Sequence, residues 1–494
     1  MKISIKREQS QTGLSFAERE KFGPKVNKIF QWAMAAALIC GASVFTSCTN
    51  DTSDNPTEQA KKNRKEFIQH TRATMKDLAE NLNFSTWNSV NYFNMGINEY
   101  VLLNDDFDKT LSRTVGMEIQ KSIRPLPADA VERYGKKYTA TVNLADFDYI
   151  FTATATGFDV TPNTEDGLVM EIVDPYSPEV AIRIDLKGSG EEFELLSQRM
   201  TNDSVGVLVR IPARYNFTFC TKQNGAWVEN MTATTELTVN KGQYSDDNLP
   251  AVAADMLMDG WNLKGTVKTS IPGDATELEF NIGQDPKTHQ AGLTFDFTHN
   301  GQKRLGLRAV GTNTNGNTDL SFLTSSSSIL SAIGAVLQGK SVDDLTLTLN
   351  DDLTTTMKVS DCQKVMQIET EMNKARRNYA DQQTMSGYAD EMNKYITISM
   401  TCKGVNQEIP VRIVAAKLGV DWWVMPALNF ADENGYTPLT DLLDKESLEY
   451  GINIIDHAAE PMQQSIIVVR QLAQALQKLQ TAFLQTKPAQ APRR

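Results

Sequence analysis

Apolar and polar residues alternate along much of the chain from Tyr138 to about residue 425, which predicts β-strands. In each strand one face is apolar and the other carries Thr, Asp or Asn. Strands buried on both faces would instead be continuously apolar, so the pattern predicts antiparallel sheets with one face in water. The clearest alternating segments are residues 180–187, 278–282, 293–297, 345–349 and 396–400.

Short turn sequences separate several of these strands. Asn224-Gly225 lies between residues 215–222 and 227–240, and Asn300-Gly301 lies between residues 293–299 and 303–310. Asn-Gly favours the tight turn that joins two antiparallel strands, because both residues tolerate positive φ. Lys403-Gly404 indicates a third hairpin.

Helical periodicity replaces the alternation at both ends of the sheet region. Asn55, Pro56 and Glu58 form a helix-start pattern, which predicts a helix to about Asn83. Pro461 begins a second long amphipathic helix that is expected to reach about Gln485. The predicted apolar stripes are Ile68, Thr71, Met75, Leu78 and Leu82 in the first helix, and Met462, Ile466, Val469, Ala473, Leu476, Leu479 and Phe483 in the second.

Further helices are predicted between the strands, at residues 249–258, 328–338 and 361–380. The last of these is polar, with Val365, Ile368 and Met372 as its inner stripe. The expected fold class is therefore α+β, with amphipathic helices at both ends of antiparallel sheets and between hairpins. The expected segments are a signal peptide at 1–47, a polar tether at 48–56, a helical segment at 57–130, an antiparallel β region with one inserted helix at 138–312, a second β/α region at 313–425, C-terminal helices at 439–486 and a disordered tail at 487–494.

An apolar run from Ile29 to Phe45 precedes all of these elements. Lys21, Lys25 and Lys28 come before it, and a polar stretch begins directly after Cys48. This order is typical of an export signal. The run contains Gln31 and is shorter than the ~20 apolar residues that span a bilayer, which argues against a transmembrane helix.

The motif Phe45-Thr46-Ser47-Cys48 resembles the lipobox of bacterial lipoproteins. The resemblance implies that the Cys48 thiol carries a diacylglycerol, that the chain is cut before Cys48, and that the new amino group is acylated. Asp51 and Asp54 resemble the acidic residues that follow this cysteine in surface lipoproteins of Gram-negative gut anaerobes. The protein is expected in the cell envelope, anchored by lipid to the outer membrane. The sequence leaves open whether it faces the periplasm or the cell surface. Cleavage by the general signal peptidase is the alternative.

Charge and cysteine content narrow the functional classes. The chain has a net charge of −12, and residues 1–47 contain seven Lys or Arg against three Asp or Glu, so the remaining 447 residues carry −16. A surface this acidic repels phosphate backbones, so no nucleic-acid partner is expected. Outside the signal segment and Cys48 the cysteines are Cys220, Cys362 and Cys402, too few for a disulfide framework. Cys220 and Cys402 lie in strand-like segments and are expected to be small buried residues.

Sequence motifs for catalysis are absent. The chain has no G-x-S-x-G, H-E-x-x-H, C-x-x-C or glycine-rich nucleotide loop, so no catalytic residue, metal or cofactor is expected. His457 and Glu460 stand one helical turn apart and could share a ligand, although acidic groups also suit a helix start. One ring of Trp422-Trp423 could stack on a sugar while the other enters the core, and the alternative is core or helix-covering packing. Residues 105–108 and 350–352 are rich in carboxylate and amide oxygens, so each is either a weak calcium site or a solvated turn.

Three functional hypotheses follow. The first is a non-catalytic lipoprotein of the envelope that binds a ligand or acts as a scaffold. The second is a carrier of a lipid or other hydrophobic ligand, which requires a continuous apolar cavity beneath the sheet. The third is a hydrolase of unrecognised type, which requires two carboxylates, or a histidine and a carboxylate, to converge.

Overall fold

The computed structural model describes the sheet region and parts of the flanking helices. The segments predicted at 1–47, 249–258, 328–338 and 487–494 lie outside the described residues, as do Cys48 and the rest of the tether up to Asn55. The described residues are 56–81, 97–125, 127–129, 131, 138–154, 156–173, 181–196, 205–239, 261–269, 275–285, 288, 290–312, 341–403, 405–418, 420–429, 435–438, 471, 474, 475, 478, 479 and 482.

Within these residues, eighteen strands belong to one connected sheet. The strands are β1 (Arg124–Pro125), β2 (Tyr138–Asn143), β3 (Tyr149–Thr154), β4 (Gly157–Pro162), β5 (Leu168–Val173), β6 (Ala181–Leu196), β7 (Val205–Gln223), β8 (Ala226–Val239), β9 (Trp261–Thr269), β10 (Thr276–Asp285), β11 (Gln290–His299), β12 (Gln302–Thr312), β13 (Ser341–Leu349), β14 (Leu353–Val359), β15 (Ile396–Cys402), β16 (Val405–Leu418), β17 (Asp421–Leu428) and β18 (Thr437–Pro438).

From β5 onward, each described strand pairs antiparallel with the next one along the chain. The prediction of a mainly antiparallel sheet is therefore confirmed. At the predicted hairpins, Asn224, Gly225, Asn300 and Gly301 all have positive φ. β12 pairs with β13, so the sheet continues across the boundary expected at residue 313.

Two parallel pairings depart from the antiparallel expectation. β7 pairs with β8 only from Arg214 to Gln223, which leaves the edge of its first half open, and β2 fills that edge in parallel over Val205 to Arg210. β3 pairs in parallel with β5. Alternation within a strand does not encode its partner, so a pairing between strands distant in the sequence was not predicted.

The described helices flank the sheet. They are α1 (Pro56–Asn81), a short π-helix (Asn98–Leu102), α2 (Asp105–Ser122), a 3₁₀ turn (Leu144–Asp146), α3 (Cys362–Arg377) and α4 (Gln382–Met392).

Short polar side chains cap three of the α-helices. Asn104 accepts hydrogen bonds from two backbone N–H groups at the start of α2, and Asp361 and Asp381 each accept one at the starts of α3 and α4. The polar helix predicted at 361–380 is confirmed by α3, with all three residues of its inner stripe buried. α4 was not predicted.

One apolar core joins the helices to the inner face of the sheet. α2 packs on β2 and β4, α4 packs on β16 and β17, and α1 crosses β14, β15 and β16. α1 buries Phe67, Thr71, Thr74 and Leu78. Of the predicted α1 stripe, Thr71 and Leu78 are buried but Ile68 is only half-buried, so the inner face is centred nearer Phe67 than predicted.

Two strand glycines provide a matched test of the packing. A Cβ at Gly265 would come within 2.4 Å of the Phe280 ring and 2.6 Å of the Thr234 carbonyl oxygen, whereas a Cβ at Gly292 meets nothing closer than 3.8 Å. We expect Gly265→Ala to lower the free energy of unfolding by about 1–2 kcal/mol. Gly292→Ala should be neutral or stabilising by up to about 1 kcal/mol. Urea unfolding of both variants measures the difference, and equal effects would contradict the close approach of Phe280 to β9.

Candidate functional site

The ligand-binding residues suggested by the sequence are only partly described. His457 and Glu460 lie outside the described residues, so their hypothesis stays untested. Trp422 is half-buried and packs against the core. The ring of Trp423 has the Arg376 guanidinium 3.8 Å from its centroid, so one ring face is occupied by the protein itself. The hypothesis that one of these rings stacks on a sugar stays untested.

The oxygen-rich segment at 105–108 forms the start of α2. Its three aspartates lie in the first turn, where negative charge stabilises the helix. Asp106 pairs with Lys109 at 2.9 Å, and Asp108 pairs with Lys478 at 2.8 Å. The segment is therefore a helix start with ion pairs, and not the solvated turn that was the expected alternative to a calcium site.

The second oxygen-rich segment is the tight turn between β13 and β14. Asn350 and Asp351 both have φ near +50°, a conformation that Asn and Asp adopt more readily than most residues. The turn brings Asp352 next to the β15–β16 hairpin, where Lys403 N–H donates to the Asp352 carbonyl at 2.8 Å. Asp352 therefore lies where two hairpins meet.

At this point, three side chains that can bind metal ions converge from distant parts of the sequence. His70 comes from α1, Asp352 from the β13–β14 turn and Cys402 from the end of β15. His70 Nδ1 lies 3.1 Å from Asp352 Oδ2, and Cys402 Sγ lies 4.0 Å from Asp352 Oδ1. The three donor atoms all lie within 4.8 Å of one another.

Exposure differs strongly across this cluster. Cys402 is buried at the end of the inner face of β15, the Asp352 side chain is 17% exposed, and the His70 side chain is 45% exposed. Thr74, one helical turn after His70, donates its hydroxyl to Asp352 Oδ2 at 2.9 Å. The cluster is thus closed toward the core, open toward solvent at His70, and held in place by a hydroxyl from the same helix.

Cys402 is not an activated nucleophile in this arrangement. Burial, together with the negative charges of Asp352 and Glu66, raises the pKa of its thiol to about 12. A nucleophilic cysteine needs a lowered pKa, because the thiolate is the reactive form. The histidine and carboxylate converge as the hydrolase hypothesis requires, but they do not activate the neighbouring sulfur.

A polar network beside the cluster fixes α1 to the same end of the sheet. Arg304 Nη1 donates to Asp77 Oδ2, and Asn350 Nδ2 donates to the same oxygen at 2.7 Å. The Arg304 side chain is 9% exposed and that of Asp77 39%. These contacts place α1 across the hairpin ends of β12 to β15 and set the position of His70.

Sequence reasoning did not identify this cluster. Asp352 was recognised only as part of an oxygen-rich turn, Cys402 as a core residue, and His70 as part of a helix. Cys402 is indeed buried and not in a disulfide, as predicted, and the same is true of Cys220. One feature of the sequence could have pointed to the cluster. Asp352 and Cys402 each lie beside a hairpin turn, and two hairpin turns can lie at the same end of a sheet.

Comparisons with known proteins identify no relative. No family model, no curated protein and no solved structure matches the chain. In the part of the chain that the structure describes, no helix combines the length and apolarity needed to cross a bilayer.

Proposed function

We propose that this chain is a lipid-anchored protein of the bacterial cell envelope, attached through Cys48 to the outer membrane, with a non-catalytic binding or scaffolding role. The observation that carries the proposal is the apolar run that ends at Cys48 with basic residues before it and a polar stretch after it. Two acyl chains on the sulfur and a third on the amino group make a stable anchor, since each buried methylene contributes about 0.8 kcal/mol and one chain alone binds only marginally.

The short tether supports a membrane-proximal position for the folded domain. Eight chain steps separate Cys48 from Pro56, where α1 begins. An extended chain of that length spans less than about 30 Å. The start of α1 therefore stays close to the bilayer in an anchored protein.

We further propose that α1 and the C-terminal helix form the two amphipathic ends of an α+β fold, with Leu479 and Ala482 as buried contacts of the C-terminal helix.

The binding role is favoured over the carrier role by the interior of the sheet. The described inner face is filled by its own side chains, such as Phe295, Leu307 and Leu347, which belong to the common apolar core. A carrier needs a cavity there, and no observation on the described residues favours one. The binding role is favoured over catalysis because the sequence contains none of the catalytic motifs named above.

Replacement of the anchoring cysteine tests the proposal. Cys48→Ala is expected to move the protein from the membrane fraction to the soluble fraction, because the remaining chain offers no acylation site at the end of the apolar run. Cys40→Ala is the matched control, since it removes a thiol from the same run and should leave the protein in the membrane fraction. Immunoblots of fractionated cells measure both variants. Equal membrane association of Cys48→Ala and the native chain would refute the anchor.

A further inference from the structure

We propose that His70, Asp352 and Cys402 bind one divalent transition-metal ion of borderline softness, with zinc as the representative ion. The inference concerns the binding role proposed above and does not depend on the lipid anchor.

The donor types fit such an ion. Zinc in proteins is held by thiolate sulfur, imidazole nitrogen and carboxylate oxygen, and calcium and magnesium take oxygen ligands almost exclusively. A set with one sulfur, one nitrogen and one oxygen therefore selects a transition metal over calcium, which the sequence had suggested for residues 350–352. The thiol and the carboxylate also supply two negative charges once the sulfur is deprotonated by the ion.

The distances between the donors fit one ion at their centre. For tetrahedral zinc with ordinary bond lengths, nitrogen and oxygen ligands lie about 3.4 Å apart, and sulfur and oxygen ligands about 3.6 Å apart. Here His70 Nδ1 lies 3.1 Å from Asp352 Oδ2 and Cys402 Sγ lies 4.0 Å from Oδ1, the other oxygen of the same carboxylate. One donor atom from each of the three residues lies within 4.8 Å of the other two. Side-chain rotations that move the donors by about 1 Å bring the three residues to one ion, with a single Asp352 oxygen as the ligand.

The surroundings support the same assignment. Thr74 holds the Asp352 carboxylate through a 2.9 Å hydrogen bond, as outer-shell partners of metal ligands do. Glu66 stands four residues before His70 on the same face of α1, and its charge acts on Cys402. A water molecule would take the fourth position from the solvent side, where His70 is exposed.

A bound ion would connect α1 to two hairpins of the sheet. His70 belongs to the helix that follows the tether, whereas Asp352 and Cys402 belong to the ends of β13–β14 and β15–β16. The ion would thus fix the membrane-proximal helix on the end of the sheet.

Cobalt substitution and zinc competition on the full-length chain test the proposal. Cobalt bound to a thiolate gives a ligand-to-metal charge-transfer absorption, which reports coordination by sulfur directly. We expect one cobalt per chain with this absorption, and its displacement by one equivalent of zinc. His70→Ala and Cys402→Ser should each weaken zinc binding by at least about 100-fold, and Cys402→Ser should abolish the charge-transfer absorption. Thr74→Val should weaken binding by about 10-fold through the loss of the outer-shell hydrogen bond.

Matched variants test whether zinc binding requires these three residues and not other thiols or carboxylates of the chain. Cys220→Ser removes another buried thiol, and Asp351→Asn removes the neighbouring turn carboxylate; both should bind zinc as the native chain does. Circular dichroism identifies any variant that fails to fold, and His70→Ala, at a half-exposed helix position, keeps the test decisive if Cys402→Ser unfolds. Absence of the sulfur absorption in the native chain, or native affinity in folded His70→Ala, would overturn the proposal.

The same titration in the Cys48→Ala background distinguishes this proposal from the anchor. Loss of membrane attachment with full zinc binding is expected there. A protein that is membrane-attached but binds no zinc would refute the metal site and leave the lipid anchor intact.

Discussion

Phe151→Ala is expected to lower the free energy of unfolding by about 3–5 kcal/mol, the range for removal of a fully buried aromatic ring. Phe151, on β3, is 0% exposed. Its ring centroid lies 5.6 Å from that of Phe107 on α2 and 6.4 Å from that of Phe147. The substitution removes apolar area and leaves a cavity between helix and sheet. Urea denaturation monitored by circular dichroism measures the change.

Two further variants identify the origin of this loss. Phe151→Leu keeps much of the volume and should cost less than half as much as Phe151→Ala. The double variant with Phe107→Ala should lose less than the sum of the two single variants, because the rings are in contact and the second truncation acts on an interaction that is already lost. Strict additivity would contradict direct packing of α2 on β3.

Asp77→Ala is expected to lower the free energy of unfolding by about 2–3 kcal/mol. It removes the carboxylate that pairs with the guanidinium of Arg304, and an unpaired buried charge costs more than the pair contributes. The estimate lies below the 3–5 kcal/mol typical of breaking a fully buried pair, because Asp77 is 39% exposed and water replaces part of the interaction. Arg304 keeps Asn350 as a neighbour, but its Nε has no hydrogen-bond partner in the described part of the chain.

Glu58→Ala is the matched control on the same helix. Glu58 pairs with Lys61 at 3.0 Å, with both side chains largely exposed, and such pairs contribute between 0 and about 1 kcal/mol. We therefore expect a change of less than about 1 kcal/mol for this variant. If Asp77→Ala and Glu58→Ala have equal effects, the network does not hold α1 on the sheet.

Much of the sheet could be predicted from local sequence patterns. The alternation at 293–297 and 345–349 depends only on which face each side chain occupies, and these residues lie in β11 and β13. The Asn-Gly turns were predictable because positive φ is required at two adjacent residues. The polar helix α3 followed from its periodicity, and in the structure Asp361 caps its start.

Pairings between distant segments were less predictable. The parallel contact of β2 with β7 arises because β7 is longer than the part that β8 covers, and strand length was not resolved by the alternation. Thr74 was not predicted as an inner residue of α1, because the predicted stripe passed through Thr71, Met75 and Leu78. In the structure the Thr74 hydroxyl is satisfied by Asp352.

The candidate metal site was even less predictable from the sequence than the distant strand pairings. His70 and Asp352 are 282 positions apart, and no spacing rule connects them. Local motifs detect metal ligands only when the ligands share a helix or a loop. Here the ligands meet because α1 lies across the hairpin ends, and that placement depends on the contact of Asp77 with Arg304 and Asn350.

The lipid anchor is tested most directly by mass spectrometry of the N-terminal peptide of protein purified from membranes. The account predicts a peptide that begins at Cys48 and carries a diacylglycerol on sulfur and an acyl chain on the amino group. An unmodified Cys48, or a peptide that begins upstream of this residue, would contradict it.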